Sequence, residues 1–121
     1  MTNYSQLPHE KLRVFQEARA LFVCVRDAEL KDSKLRDQAL RAAKSICLNI
    51  AEGAGRTGAA DKARVYAIAR GETCEVAAAL ELASLAGECR EERALEGMAR
   101  ARSVHAMLGG LIVRPGGPPR R

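Results

Sequence analysis

Apolar residues recur at three- and four-residue steps along four stretches of this 121-residue chain, and no stretch sustains a two-residue alternation. That period belongs to helices, so an all-α fold is predicted. The first helix is expected from about Pro8 to Lys31, with Leu12, Phe15, Ala18, Phe22 and Val25 as its inward stripe. Pro8 suits a first helical turn, where its missing N–H is not needed. Asp32 or Ser33 can cap a second helix, from about Lys34 to Glu52, with Leu35, Ala39, Ala42, Ile46, Asn49 and Ile50 inward. Gly53 follows where a helix end takes a left-handed residue. A third helix is expected from Gly58–Ala60 to Ala86, stopped by Gly87, with Tyr66, Ala69, Thr73, Val76, Leu80 and Ala83 inward. A fourth runs from about Glu91 to Val113, with Ala94, Met98, Ala101, His105, Leu108 and Ile112 inward. Short joins between the four predict an antiparallel up-down-up-down four-helix bundle over residues 1–113. The closing "RPGGPPRR", residues 114–121, reads as a basic tail that Pro and Gly keep from being helical.

Tryptophan is absent and the aromatics are Tyr4, Phe15, Phe22 and Tyr66, so Ala, Leu, Val and Ile must build the core. No apolar run approaches the roughly 20 residues of a membrane span, and the N-terminus lacks a signal pattern; a cytoplasmic protein without a membrane partner is expected. Cys24, Cys47, Cys74 and Cys89 are far apart with no CxxC pair, and His9 and His105 have no neighbours at ligand spacing. Reduced thiols, no metal and no cofactor are expected. Ser45, Ser84 and Ser103 lie in helices without an activating motif, which argues against an enzyme.

Gly53, Gly55 and Gly58 have the GxGxxG spacing of a dinucleotide-binding turn. That fingerprint needs a strand before its first glycine and a βαβ unit around it. Here a helix precedes it and no sheet is available, so the glycines are expected to make a turn between helices.

Three features carry more information. In "TCEVAAALELASLAG" (73–87) only Glu75 and Glu81 are charged, and Val76, Ala77, Ala78, Ala79 and Leu80 go all the way round the helix; "VHAMLGGLIV" (104–113) carries no acid and no Lys or Arg. A bundle helix needs one apolar face, so these stretches predict self-association through Val76, Ala79, Leu80, Leu108, Leu111 and Ile112. Asn49 and Glu52 share a helix face, and Glu52 stands at the end of the dipole that disfavours a carboxylate. A polar clamp of Asn49, Glu52, Arg56 and Arg70 is expected to fix the turn, with a functional site as the alternative. The net charge is +5, no acid follows Glu96, and Arg41, Lys44, Arg64, Arg114, Arg120 and Arg121 can meet phosphates of RNA or DNA. With so few aromatics to stack on bases, such binding would be salt-dependent and weak in sequence preference.

"LRDQALRAAKSICLNIAEGAGR" followed by "RVYAIARGETCEVAAALELA" resembles the four-helix-bundle family that includes proteins encoded in intervening sequences of 23S ribosomal RNA genes. The resemblance rests on Gln38, Arg41, Ala42, Ala43, Ser45, Ile46, Asn49, Ile50, Ala51, Glu52, Gly53, Gly55 and Arg56, then on Ile68, Ala69, Arg70, Gly71, Glu75 and Leu80. It implies a cytosolic bundle that assembles into a cyclic homo-oligomer, commonly a pentamer, without enzymatic activity. A related branch, the accessory protein of diversity-generating retroelements, implies a reverse transcriptase and nucleic acid as partners. The chain departs from the family pattern with Gly58 for a Ser cap, Lys62 for an aromatic and Glu72 for a Ser. A scaffold for another protein and a small helical enzyme built on Arg70 and Glu75 are the competing readings.

Overall fold

The computed structural model describes residues 5–114. A 3-10 turn, Pro8–Lys11, precedes four helices: α1 Arg13–Ala28, α2 Ser33–Gly55, α3 Ala59–Leu85 and α4 Glu91–Val113. There is no strand among the described residues. Each helix packs on the next and α1 closes against α4, an arrangement consistent with a four-helix bundle. No described helix is long and apolar enough to cross a membrane.

The first helix is shorter than its periodicity suggests. Leu12 is extended (φ −85°, ψ 125°) and separates the 3-10 turn from α1. The Glu10 carboxylate accepts from the Leu7 N–H at 2.9 Å and secures the turn. The inward stripe of α1 is also displaced: Val14, Ala18, Leu21, Val25 and Ala28 are buried, whereas Phe15 and Phe22 lie half-buried on its flank. Neighbouring helical positions stand about 100° apart, so a bulky residue one step off the inward axis rides the edge of the core. Phe15 there meets the His9 ring edge-on, centroids 4.6 Å apart.

The Asp32 carboxylate caps α2 by accepting from the Leu35 N–H at 2.9 Å. The helix then runs through Gly53 to Gly55 rather than stopping at Gly53. The left-handed conformation appears instead at Glu29 (φ 49°), which ends α1, and at Gly87 (φ 71°), beyond α3. Gly53 has a different role. A Cβ there would stand 2.7 Å from Cε1 of Tyr66, whose ring fills that space. Gly97 does the same for α4, where a Cβ would stand 2.5 Å from Cδ1 of Leu80.

The apolar circumference of α3 has an intramolecular explanation. Val76, Leu80 and Leu108 are fully buried and Ala79 is nearly so, all within one chain. These four therefore do not form a subunit interface. α3 packs on both α2 and α4 and so needs a broader apolar surface than a helix with one neighbour. Leu111 and Ile112 lie half-buried against the same core. On α4 the inward axis runs through Ala94, Gly97, Ala101, Val104 and Leu108, leaving Met98, His105 and Ile112 on its flank.

Candidate functional site

The α2–α3 turn holds the densest polar network among the described residues. Arg56 pairs with Glu52 one turn back on α2. It also reaches Asp61 on α3 at 3.3 Å, and Asp61 accepts from Arg64 at 2.9 Å. Glu52, then Asp61, push the Arg56 guanidinium further toward its charged form. Lys62 Nζ donates to the carbonyl oxygens of Ala54 at 2.8 Å and Gly53 at 3.3 Å. These are C-terminal carbonyls of α2 that have no partner inside their own helix. The lysine therefore caps α2 from α3.

Two expected members of the clamp lie elsewhere. The Asn49 amide donates to the Ser45 carbonyl and hydroxyl, both at 3.0 Å, within α2. Arg70 points to α4, where its Nε donates to Nε2 of His105 at 3.2 Å. Geometry explains the second correction. Arg70 stands on the α4 side of α3, whereas the turn network uses its first helical turn. Asp61 and Lys62 were the missing members; their place just inside a helix that follows a three-residue turn was the available signal.

The basic side chains divide into paired and unpaired. Arg41 and Lys44 are exposed on α2, and Arg114 is exposed beyond α4. Arg64 is exposed but held by Asp61. Arg120 and Arg121 lie outside the described residues.

A second apolar surface faces outward. Ile68, Leu82 and Leu85 on α3 are 45%, 57% and 77% exposed. With Gly71, Glu75 and Ala78, also exposed, they follow the alternating three- and four-residue steps of a heptad seam. Leu48 on α2 and Leu95 on α4 are likewise exposed. The spacing 68, 71, 75, 78, 82, 85 was readable in the sequence but was overshadowed by the inward stripe interleaved with it.

Two hollows mark the surface. A cavity of about 460 Å³ lies between the α1–α2 and α3–α4 joins, which the Lys31 N–H ties together by donating to the Glu88 carbonyl at 3.1 Å. Lys31, Arg90 and Arg93 line it against Asp27, Glu29 and Glu88, so the charges balance. A cleft of about 240 Å³ lies between α3 and α4, beside His105. Burial pushes the thiols of Cys24, Cys47 and Cys89 up, keeping them protonated. No group of three or more metal-ligating side chains occurs among the described residues.

A family model for the 23S rRNA-intervening sequence protein matches residues 10–110, and so spans all four helices. The chain belongs to that family. In this chain, the "NIAEG" stretch lies at the end of α2: Gly53 admits Tyr66, and Glu52 opens the turn network. A solved structure from Bacteroides thetaiotaomicron VPI-5482, a protein with unknown function from the S23 ribosomal protein family, is similar at TM-score 0.76 and 23% identity. The likeness covers 82% of this chain and 97% of that one, and it carries the fold. Comparison with curated proteins gave no match.

Proposed function

We propose that this chain is a non-enzymatic, self-associating cytoplasmic scaffold. Each subunit is read as an antiparallel up-down-up-down bundle, and copies assemble into a ring, with five as the expected number. The observation that carries the reading is the outward ridge of α3, Ile68–Gly71–Glu75–Ala78–Leu82–Leu85. Large apolar side chains at heptad spacing are what a partner helix covers. Gly71 adds to this. An exposed glycine inside a helix costs about 1 kcal/mol relative to Ala, and a Cβ there would meet nothing within 4 Å in the single chain. A closely approaching backbone would give that glycine a use. The antiparallel reading rests on the short joins, residues 29–32, 56–58 and 86–90.

Sedimentation equilibrium tests the assembly. The expected mass is about five times the 13.1 kDa of one chain. Leu82→Lys combined with Leu85→Lys is expected to give a monomer with unchanged helical content. A wild-type chain that stays monomeric at high concentration overturns the reading.

Phosphate binding is the second element of the proposal. Its support is that Arg41 and Lys44 stand exposed without a carboxylate within 4.0 Å among the described residues. Affinity for RNA or DNA is expected to fall steeply as salt rises. Binding that ignores salt points instead to a protein partner.

A further inference from the structure

The outward ridge of α3 has a counterpart on α4 that the scaffold reading leaves unused. Leu95 is 56% exposed. Ala99, Arg102 and Ala106 are exposed as well, and Gly109 is half-buried at the end of the same row. Residues 95, 99, 102, 106 and 109 follow the alternating three- and four-residue steps of a heptad seam, as the ridge does. The nearest groups that a Cβ at Gly109 would meet are Cζ and Nη2 of Arg70, 3.9 Å away, so a side chain from outside can approach the backbone there.

Laid antiparallel, the two rows match step for step. Ile68 faces Gly109, Gly71 faces Ala106, Glu75 faces Arg102, Ala78 faces Ala99 and Leu82 faces Leu95. A large residue meets a glycine, small residues meet small ones, and leucine meets leucine. The one acid of the ridge meets the one base of the α4 row. Leu85 comes opposite Glu92 and marks the edge of the match. Other pairings lose the charge layer. A shift of one heptad sets Glu75 against Gly109 or Leu95, and Arg102 against Leu82 or Ile68. A parallel pairing that keeps the steps never brings Glu75 to Arg102. A ridge laid on a second ridge leaves Glu75 without a cation, because none of its six residues is basic.

The register also suits closure. Within one chain Arg70 meets His105 and Leu80 stands against Gly97, so numbers rise along α3 as they fall along α4. Both helices climb at the same rate per residue. Counted from the Leu80–Gly97 level, Ala78 is level with Ala99 and Glu75 with Arg102. The pairs that face each other across copies are therefore pairs that share a height within a single chain. Rotation about an axis along the bundle preserves those heights, so the contact has no rise. A head-to-tail contact without rise can close into a ring, whereas one with rise winds into an open filament.

We infer that α3 of one copy docks on α4 of the next, head to tail, with Glu75 and Arg102 as the charged layer that fixes the register. Opposite charges at one layer of an apolar seam exclude the slipped and parallel alternatives. This inference rests on the scaffold reading and names the two surfaces that meet in it.

The test uses the full chain with Cys74→Ser, which removes the exposed native thiol. Ala78→Cys and Ala99→Cys are made singly and together, oxidised, and compared on a non-reducing gel. Each single variant is expected to stay one chain, the two co-expressed to give a covalent dimer, and the combined variant to give a ladder of higher multiples. Charge reversal supplies a second readout. Glu75→Arg and Arg102→Glu should each shift the sedimentation-equilibrium mass toward that of one chain, and together they should return it to the wild-type value. Both positions are exposed, so helical content should not change. The inference is overturned if the co-expressed cysteine variants do not cross-link, or if Ala78→Cys alone forms a dimer. It is equally overturned if the single reversals assemble like wild type, or if the combined reversal is no heavier than either. A wild-type chain that stays monomeric overturns the scaffold reading and this inference together. An assembled wild type that gives any of the other negative results overturns this inference alone.

Discussion

The ring of Tyr66 occupies the space that a side chain at residue 53 would need, with Cε1 2.7 Å from the position of that missing Cβ. Tyr66 is 1% exposed and the largest fully buried side chain in the core, so it has little freedom to retreat. Gly53→Ala is expected to destabilise by about 1–3 kcal/mol, the usual cost of overpacking. The gain in helix propensity offsets part of the clash. Gly55→Ala is the control, because a Cβ there meets nothing within 4 Å. Urea unfolding of the two variants should move in opposite directions or differ by at least this margin. Equal midpoints would show that Tyr66 does not define the Gly53 position.

Lys62 stands where the family pattern has an aromatic, and its ammonium caps the end of α2. Lys62→Met keeps much of the stem and removes the donor. The expected loss is about 1 kcal/mol, the net value of a partly buried hydrogen bond. It should appear as a lower urea midpoint with an unchanged slope, since the surface exposed on unfolding stays the same.

Glu29 is the sole non-glycine with a left-handed backbone among the described residues, at φ 49°. Its Cβ is strained there, and glycine is not. Glu29→Gly is expected to raise stability by about 0.5–1 kcal/mol, less what the more flexible unfolded chain takes back. A lower thermal midpoint would mean that the Glu29 side chain supplies a contact outweighing the strain.

Glu72 is half-buried on α3, and burial followed by the charge of Glu75 pushes its carboxyl up from the usual value of 4.5. A carboxyl that is raised in the folded state binds its proton more tightly there than in the unfolded chain. Its contribution to stability is therefore full below the unfolded value and is lost as pH rises through the folded one. Glu72→Gln is expected to be more stable than wild type near pH 7, with the gap narrowing toward about pH 4. Thermal midpoints of both proteins across that range decide it. A gap that is constant with pH would assign the effect to packing rather than charge.

The helical period, the Asp32 cap and the stop at Gly87 were legible because they depend on residues close in sequence, whereas the break at Leu12 and the run of α2 past Gly53 to Gly55 were not. α4 runs from Glu91 to Val113, as its pattern indicated, and the α3 stripe from Tyr66 to Ala83 is buried throughout. The "NIAEG" stretch likewise pointed to the family. What misled was partner choice. Val76 and Leu80 looked like surplus surface because local spacing shows how much of a helix is apolar, not how many helices will cover it. Arg70 looked like a partner for Glu52 because a carboxylate at the C-terminal end of a helix calls for a cation, yet the rotation of α3 about its axis directs Arg70 to His105.

The sequence by itself determined four helices, their approximate ends and a core built largely of Ala, Leu, Val and Ile, because helix period and capping act within a few residues. Only the tertiary structure decided that Gly53 receives Tyr66, that Lys62 closes α2, and that Arg70 meets His105. Each of those relationships joins two helices. It depends on how the helices are rotated and offset against one another, which is set by the packing of the whole core rather than by any one segment.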